Sequence, residues 1–316
     1  MRGYLAQRSM SVVPTILGIV TLVFLMLRLI PGDPAAVIAG EHASKETMQA
    51  LRESLGLEEP LLKQYGTYWF DLVRLDLGRS VQTGIPVTDL LKDAIPITMA
   101  VAVASVAIGT VIAVPLGTLA AYSRSRGKTS GDHALTGFAM AVDTMPVFWV
   151  AIVGVLFFSL RLGWFPVSGP VQWSDPGQLI QRLALPVIVL GLGQIASVAR
   201  VTRTAVLDSL GDDYVRTARA LGMGELTILF RHALRNSSLP IVTMTGLSVG
   251  RLFGGTVIIE SIFSLPGMGT TLVNAINSRD YPIVQGVILV FALMFISVNL
   301  ITDIVYSRVD PRVRLG

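Results

Sequence analysis

Apolar runs long enough to cross a membrane as helices recur along this chain from residue 12 to residue 306. A helix rises about 1.5 Å per residue, so about 20 apolar residues span a hydrocarbon core of about 30 Å. Inside that core no water bonds to a free backbone N–H or C=O, so runs of this length fold as helices. The charged fraction agrees, at 15% against about 25% in soluble domains. Six runs qualify: 12–30, 96–122, 134–160, 185–199 with an extension toward 206, 239–259 and 283–306. The predicted fold is all-α, one polytopic membrane domain over 1–316 with six transmembrane helices. A cleaved signal would have a shorter apolar stretch and a small-residue cleavage site, so the first run is read as a retained span. Arg28 can reach the interface at its end, and Pro31-Gly32-Asp33-Pro34 stops the helix.

Residues 31–94 form the longest polar segment and are predicted to fold as a small helical lobe. Ser44 can cap a helix to about Leu55, with Glu46 in its first turn and Gly56 past its end. Pro60 suits the first position of a second helix to about Val73. Six spans place both termini on one side. Arg2 and Arg8, the cluster Arg124, Arg126 and Lys128, the arginines from Arg200 to Arg235, and Arg308, Arg312 and Arg314 share that side. The shorter loops opposite hold Arg161, Arg182 and Arg279, and a long segment such as 31–94 crosses regardless of its charge. The termini are therefore expected in the cytoplasm and the lobe outside. The net charge of +4 reads as orientation, not as nucleic-acid binding.

Several chemistries find no support. With no cysteine there is no disulfide, thiolate site or cysteine nucleophile, and His42, His133 and His232 have no ligand spacing. Gly127-Lys128-Thr129 resembles the end of a phosphate loop, but position 122, where the loop needs glycine, is Tyr122. Gly191 to Ala196 fits a loose dinucleotide pattern yet lies within an apolar run, where small residues serve helix packing. The sequon Asn236-Ser237-Ser238 falls on the cytoplasmic side. No cofactor is expected in this chain.

Polar residues inside spans are costly and carry more information. Asp143 lies in the third span, three residues before Pro146, and Arg251 lies in the fifth. They either pair within the bundle or line a polar translocation pathway. Glu260 is read as structural, Asn299 of the sixth span carries the same two readings, and Pro115, Pro146 and Pro186 are read as sites of helix bending. The second feature is the basic interval 200–238, read as a cytoplasmic coupling loop. Asp212 or Asp213 can cap a helix beginning near Tyr214, with Arg216 and Arg219 on one face and Ala218 and Leu221 on another. Gly222 can end that helix in the left-handed region, and a second helix from Glu225 to about Leu234 returns to the membrane. Such a hairpin docks on a soluble protein or rests on anionic lipid.

Tyr214-Val215-Arg216-Thr217-Ala218-Arg219-Ala220-Leu221-Gly222 resembles the cytoplasmic loop of membrane subunits of bacterial ABC importers, in the dipeptide/oligopeptide/nickel branch. The wider class has Glu-Ala-Ala, three residues, Gly; here Arg216 and Thr217 replace the Glu and first Ala, with Ala218 and Gly222 in register. Leu29 to Pro34, Leu55-Gly56-Leu57 with Pro60, Asp76-Leu77-Gly78 and Leu162-Gly163-Trp164 agree in order. Phe263 with Pro266-Gly267-Met268-Gly269, Asp280-Tyr281-Pro282 and Asp310-Pro311-Arg312 complete the set. The resemblance implies the first-subunit type, with its large external segment after span 1, in a bacterial inner membrane. It further implies a second homologous permease subunit, two ATPase subunits that bind ATP and Mg, and an extracytoplasmic substrate-binding protein. Tyr214, Arg216, Thr217, Ala218, Arg219, Leu221 and Gly222 would contact the ATPase. The implied substrates are small peptides, or else nickel chelates, glutathione or opine-like compounds. An ion-coupled secondary transporter and a non-transporting scaffold are the readings from other classes.

Overall fold

The computed structural model describes residues 2–29, 35, 44–54, 56 and 58–309. Pro31 to Pro34, Leu55, Leu57 and Asp310-Pro311-Arg312 lie outside them, as does the Arg28 side chain. The described chain is all-α. Its helices are α1 (Arg2–Leu29), α2 (Lys45–Ser54), α3 (Leu61–Val73), α4 (Val87–Ser125), α5 (Ser130–Thr144) and α6 (Val147–Gly154). They continue with α7 (Pro176–Leu210), α8 (Asp213–Ala220), α9 (Ser238–Ile262), α10 (Met268–Asn277) and α11 (Tyr281–Val309). Among the described residues α4, α7, α9 and α11 are each long and apolar enough to cross a membrane, and α1 carries a shorter apolar stretch, Val12–Met26.

The third predicted span differs from expectation. In place of one helix over 134–160 there are two, Ser130–Thr144 and Val147–Arg161, meeting at 98°. Pro146 causes the break: it pushes Met145 into extended backbone (φ −86°, ψ 126°) and then starts the next helix. That second helix finishes as a π-helical turn, Val155–Arg161. The fourth span overshoots its predicted end and runs to Leu210, because nothing before Gly211 breaks it. Its start is fixed by Asp175, whose carboxylate accepts from the N–H groups of Gly177 (2.9 Å) and Gln178 (3.1 Å). The Gln178 backbone bond foremost holds the Asp175 carboxyl below its ordinary range. A depressed carboxyl stabilises the folded state above its unfolded value and loses that contribution as pH falls through the folded value. The thermal midpoint of Asp175→Ala should thus lie below that of the unaltered protein at neutral pH, with the gap closing in acid.

Contacts divide the chain into two compact units. One is built on Thr98–Leu265 and Ser297–Gly316. In it α4 and α7 approach closely along Gly109, Ala113 and Gly117, one small residue per turn. A side chain at Gly117 would put its Cβ 2.4 Å from the Ala199 carbonyl oxygen, and one at Gly109 would meet Gln194. Gly191, in the loose dinucleotide pattern, likewise faces the backbone of Ser105. These glycines are packing residues. Gly117→Val should destabilise by about 1–3 kcal/mol, since backbone cannot yield as a side chain does. A lower midpoint on heating in detergent, followed by size exclusion, would register it. Glu260 is fully buried in this unit and accepts from the Thr98 hydroxyl at 2.7 Å, the structural role expected of it.

The other unit comprises Arg2–Ile97 and Pro266–Ile296. Val87, Leu91, Met268, Val284 and Val287 form its core. Asp280 is buried and binds the turn after Gly78: it accepts from the Ser80 hydroxyl at 2.5 Å and from the Val81 and Gln82 N–H groups. Two motifs nearly 200 residues apart, Asp76-Leu77-Gly78 and Asp280-Tyr281-Pro282, thus belong to one contact region, with Pro282 beside Gly78.

Candidate functional site

Within the basic interval 200–238 lies an eight-residue helix, α8, between Gly211 and Gly222. Asp212 occupies the N-cap position without a side-chain bond to the helix, while Asp213 places its charge in the first turn. The helix ends as the glycine predicted. Gly222 has φ +74°, its N–H donates to the Arg219 carbonyl (3.0 Å), and the Met223 N–H donates to the Ala218 carbonyl (3.1 Å). This paired closure needs a left-handed residue at position 222. Gly127 closes α4 in the same way, with φ +75° and Lys128 donating to the Ser123 carbonyl, which gives the Gly-Lys-Thr sequence a structural reason.

Two residues fix α8 to the rest of the unit. Val215 and Ala218 are buried, in a cluster with Ala121 of α4, Val206 and Leu210 of α7, and Ile228, Leu229 and Ala233. Burying a valine contributes about 1.5–3 kcal/mol. Tyr214 is half-buried and shares a hydrogen bond with the Ser209 hydroxyl. Arg219 holds Glu225 through two bonds, 3.1 and 3.4 Å, and Arg126 at the end of α4 reaches the same carboxylate at 3.4 Å. From Glu225 the chain passes through a π-helical turn, Ile228–Ala233, and re-enters at α9. A push on α8 therefore acts on the ends of α4 and α7 and on the approach to α9.

What α8 presents outward is Arg216, Thr217 and Leu221, with Leu226 beyond the turn. Among the described residues Arg216 pairs only with exposed Asp213, at 3.3 Å, a contact of little energetic weight. Leu221 is 77% exposed, so it does not share a face with buried Ala218 as the helical spacing suggested. The helix stops at Ala220, and Leu221 leaves with the turn. An exposed leucine pair beside a cation is a surface suited to a protein partner.

The structure brings the two intramembrane charges together. Asp143 at the end of α5, Val147 just after Pro146, and Arg251 of α9 line a cavity of about 280 Å³ with Gln194 and Ser248. Pro146 acts by placing the bend beside it. Asp143 is ion-paired with Arg200 of α7, while Arg251 donates to the Ser248 hydroxyl at 3.3 Å. Asp132, eleven residues earlier in the first turn of α5, is buried and paired with Arg203 (2.8 Å for the Nη2 bond) and with Arg124 at 3.8 Å. Sequence reasoning passed over Asp132, Arg200, Arg203 and Gln194. A signal was present: the two acids stand about three turns apart on α5, and the two arginines one turn apart on α7.

The family described as "Binding-protein-dependent transport system inner membrane component" matches residues 113–315, and the corresponding N-terminal membrane-component description matches residues 1–102. The chain belongs to this family. It is a permease, the membrane-embedded component of an ABC import system. A Brucella abortus (strain 2308) protein named as a peptide transport system permease is 40% identical over 99% of both chains. The dipeptide transport system permease protein DppB of Escherichia coli (strain K12) is 37% identical, again over 99% of both. Among solved structures, a chain of the methionine ABC transporter MetNI, in inward-facing conformations, shares the fold. The TM-score is 0.58 at 16% identity, over 71% of this permease and 97% of that chain.

Proposed function

We propose that this permease forms half of the translocation pathway of an ATP-driven importer for small peptides delivered by a binding protein. The observation that carries the reading is its full-length similarity to permeases named for peptides and dipeptides. The other half comes from a second, homologous subunit. Two separate ATPase subunits bind ATP with Mg and hydrolyse it, and the N- and C-termini lie with them in the cytoplasm. The binding protein delivers substrate on the face bearing the 31–94 lobe.

On this reading α8 is the contact with one ATPase. Arg216, Thr217, Leu221 and the outward part of Arg219 touch the partner. Tyr214 and Ala218 hold the helix in place, and Gly222 sets its end. ATP closes the ATPase pair and moves α8. Because Val215 and Ala218 tie α8 to α4 and α7, and Glu225 ties it to Arg126, the movement passes to the spans as a rigid shift. Asp143 and Arg251, beside the bend at Pro146, line the route that opens.

The test is uptake into vesicles containing the whole complex, with ATP on the ATPase side and ionophores collapsing the ion gradients. Dipeptide uptake should persist without gradients and stop without ATP. Uptake that follows the gradients would make the protein a secondary transporter. ATP-dependent uptake of a nickel chelate, glutathione or an opine, in place of peptides, would keep the machine and change its cargo.

A further inference from the structure

Arg251 sits near the middle of α9, where an uncompensated cation is expensive. Insertion scales put an arginine at a helix centre about 2.5–3.5 kcal/mol uphill. In this unit the guanidinium has only the Ser248 hydroxyl, at 3.3 Å, and forms no ion pair among the described residues. The acid in the same cavity, Asp143, is taken by Arg200. The cavity wall therefore carries a surplus positive charge. Leu190 and Leu252 supply its apolar wall.

We propose that Arg251 forms a subsite for the C-terminal carboxylate of a short peptide; this rests on the peptide-importer reading above. A guanidinium offers paired N–H donors that match a carboxylate. Ser248 gives its own proton to the Met244 carbonyl (2.7 Å) and accepts from Arg251, so its part is to hold the guanidinium in place. The volume, about 280 Å³, lies just below the roughly 300–1,000 Å³ of whole small-molecule sites. That suits a subsite holding one end of the substrate. None of these groups reads side-chain identity, so peptides of many sequences can pass.

The test uses the complete complex in vesicles, saturated with its binding protein, and compares uptake of dialanine with uptake of its C-terminal amide. Because the binding protein is the same throughout, its own preference cancels when variants are compared. Arg251→Gln should lower the free-acid to amide uptake ratio about tenfold, the scale of one charge-assisted contact. Arg251→Lys, which keeps the charge without the paired donors, should lower the ratio by a few-fold and serves if the glutamine variant fails to accumulate. A ratio unmoved by either variant, even with both rates reduced together, would mean a structural arginine and overturn the subsite, leaving the importer reading intact. If the unaltered complex imports neither compound under ATP, the peptide reading falls and the subsite with it.

Discussion

Arg182→Met should prevent accumulation of the permease, or lower its thermal midpoint in detergent by about 10 °C, a shift of about 3–5 kcal/mol. Arg182 is 3% exposed at the beginning of α7 and faces carbonyl oxygens, not carboxylates. Its Nε donates to Gly169 (3.2 Å), Nη1 to Val167 (3.0 Å) and Pro166 (3.4 Å), and Nη2 to Phe263 (2.7 Å) and Ser264 (3.0 Å). A guanidinium has five N–H donors, and all five are used here. Two of the acceptors lie just past the C-terminus of α9, where helix dipoles favour a cation. Methionine keeps much of the volume but leaves the carbonyls without donors. Arg182→Lys should recover part of the loss, having three donors and no fixed fork. A methionine variant as heat-stable as the unaltered protein would show that water or other donors replace the arginine.

Gly222→Val should leave the permease folded and assembled in the membrane while cutting ATP-driven uptake at least tenfold. A Cβ at this position would meet nothing within 4 Å, so crowding plays no part. The cost is in the backbone, at φ +74°. An L-residue there loses about 1–2 kcal/mol, and a β-branched one is especially disfavoured. The segment can escape by abandoning the bonds that close α8, which moves Leu221 and Arg216 off their positions. Asn tolerates the left-handed region, so Gly222→Asn should transport nearly normally and Gly222→Ala should fall between. Uptake that follows this order would tie function to the turn. Equal activity in all four proteins would remove the turn from the mechanism.

Much of this was legible in the sequence, for reasons that differ from element to element. Apolar run length located the helices, because the bilayer imposes it locally. Gly222 announced the end of α8, because φ belongs to a single residue. The facing of α8 was legible only in part: Arg216 and Arg219 are exposed and Ala218 is buried, as the spacing suggested, but Leu221 is not with Ala218. In eight residues the partners decide: Val206 and Ile228 choose Val215 and Ala218, while the turn carries Leu221 outward. Pro146 marked a break in the third span, but the 98° angle depends on packing that no local rule supplies. The same holds for Asp280 with Ser80 and for Arg182 with Phe263. Each joins groups distant in sequence, and each looks in one dimension like an ordinary loop charge.

Cross-linking can show whether α8 and its turn dock on an ATPase. The chain has no cysteine, so an introduced cysteine is the one thiol on this subunit, which is labelled before assembly. In the assembled, transporting complex, Leu221→Cys carrying a short photoactivatable label should join to an ATPase subunit, with a yield that changes when ATP is added. Ala218→Cys, buried in the same helix, should label poorly and give no such product. Adducts only to lipid from Leu221→Cys in a complex that still transports would contradict the account and leave the hairpin a membrane-surface element.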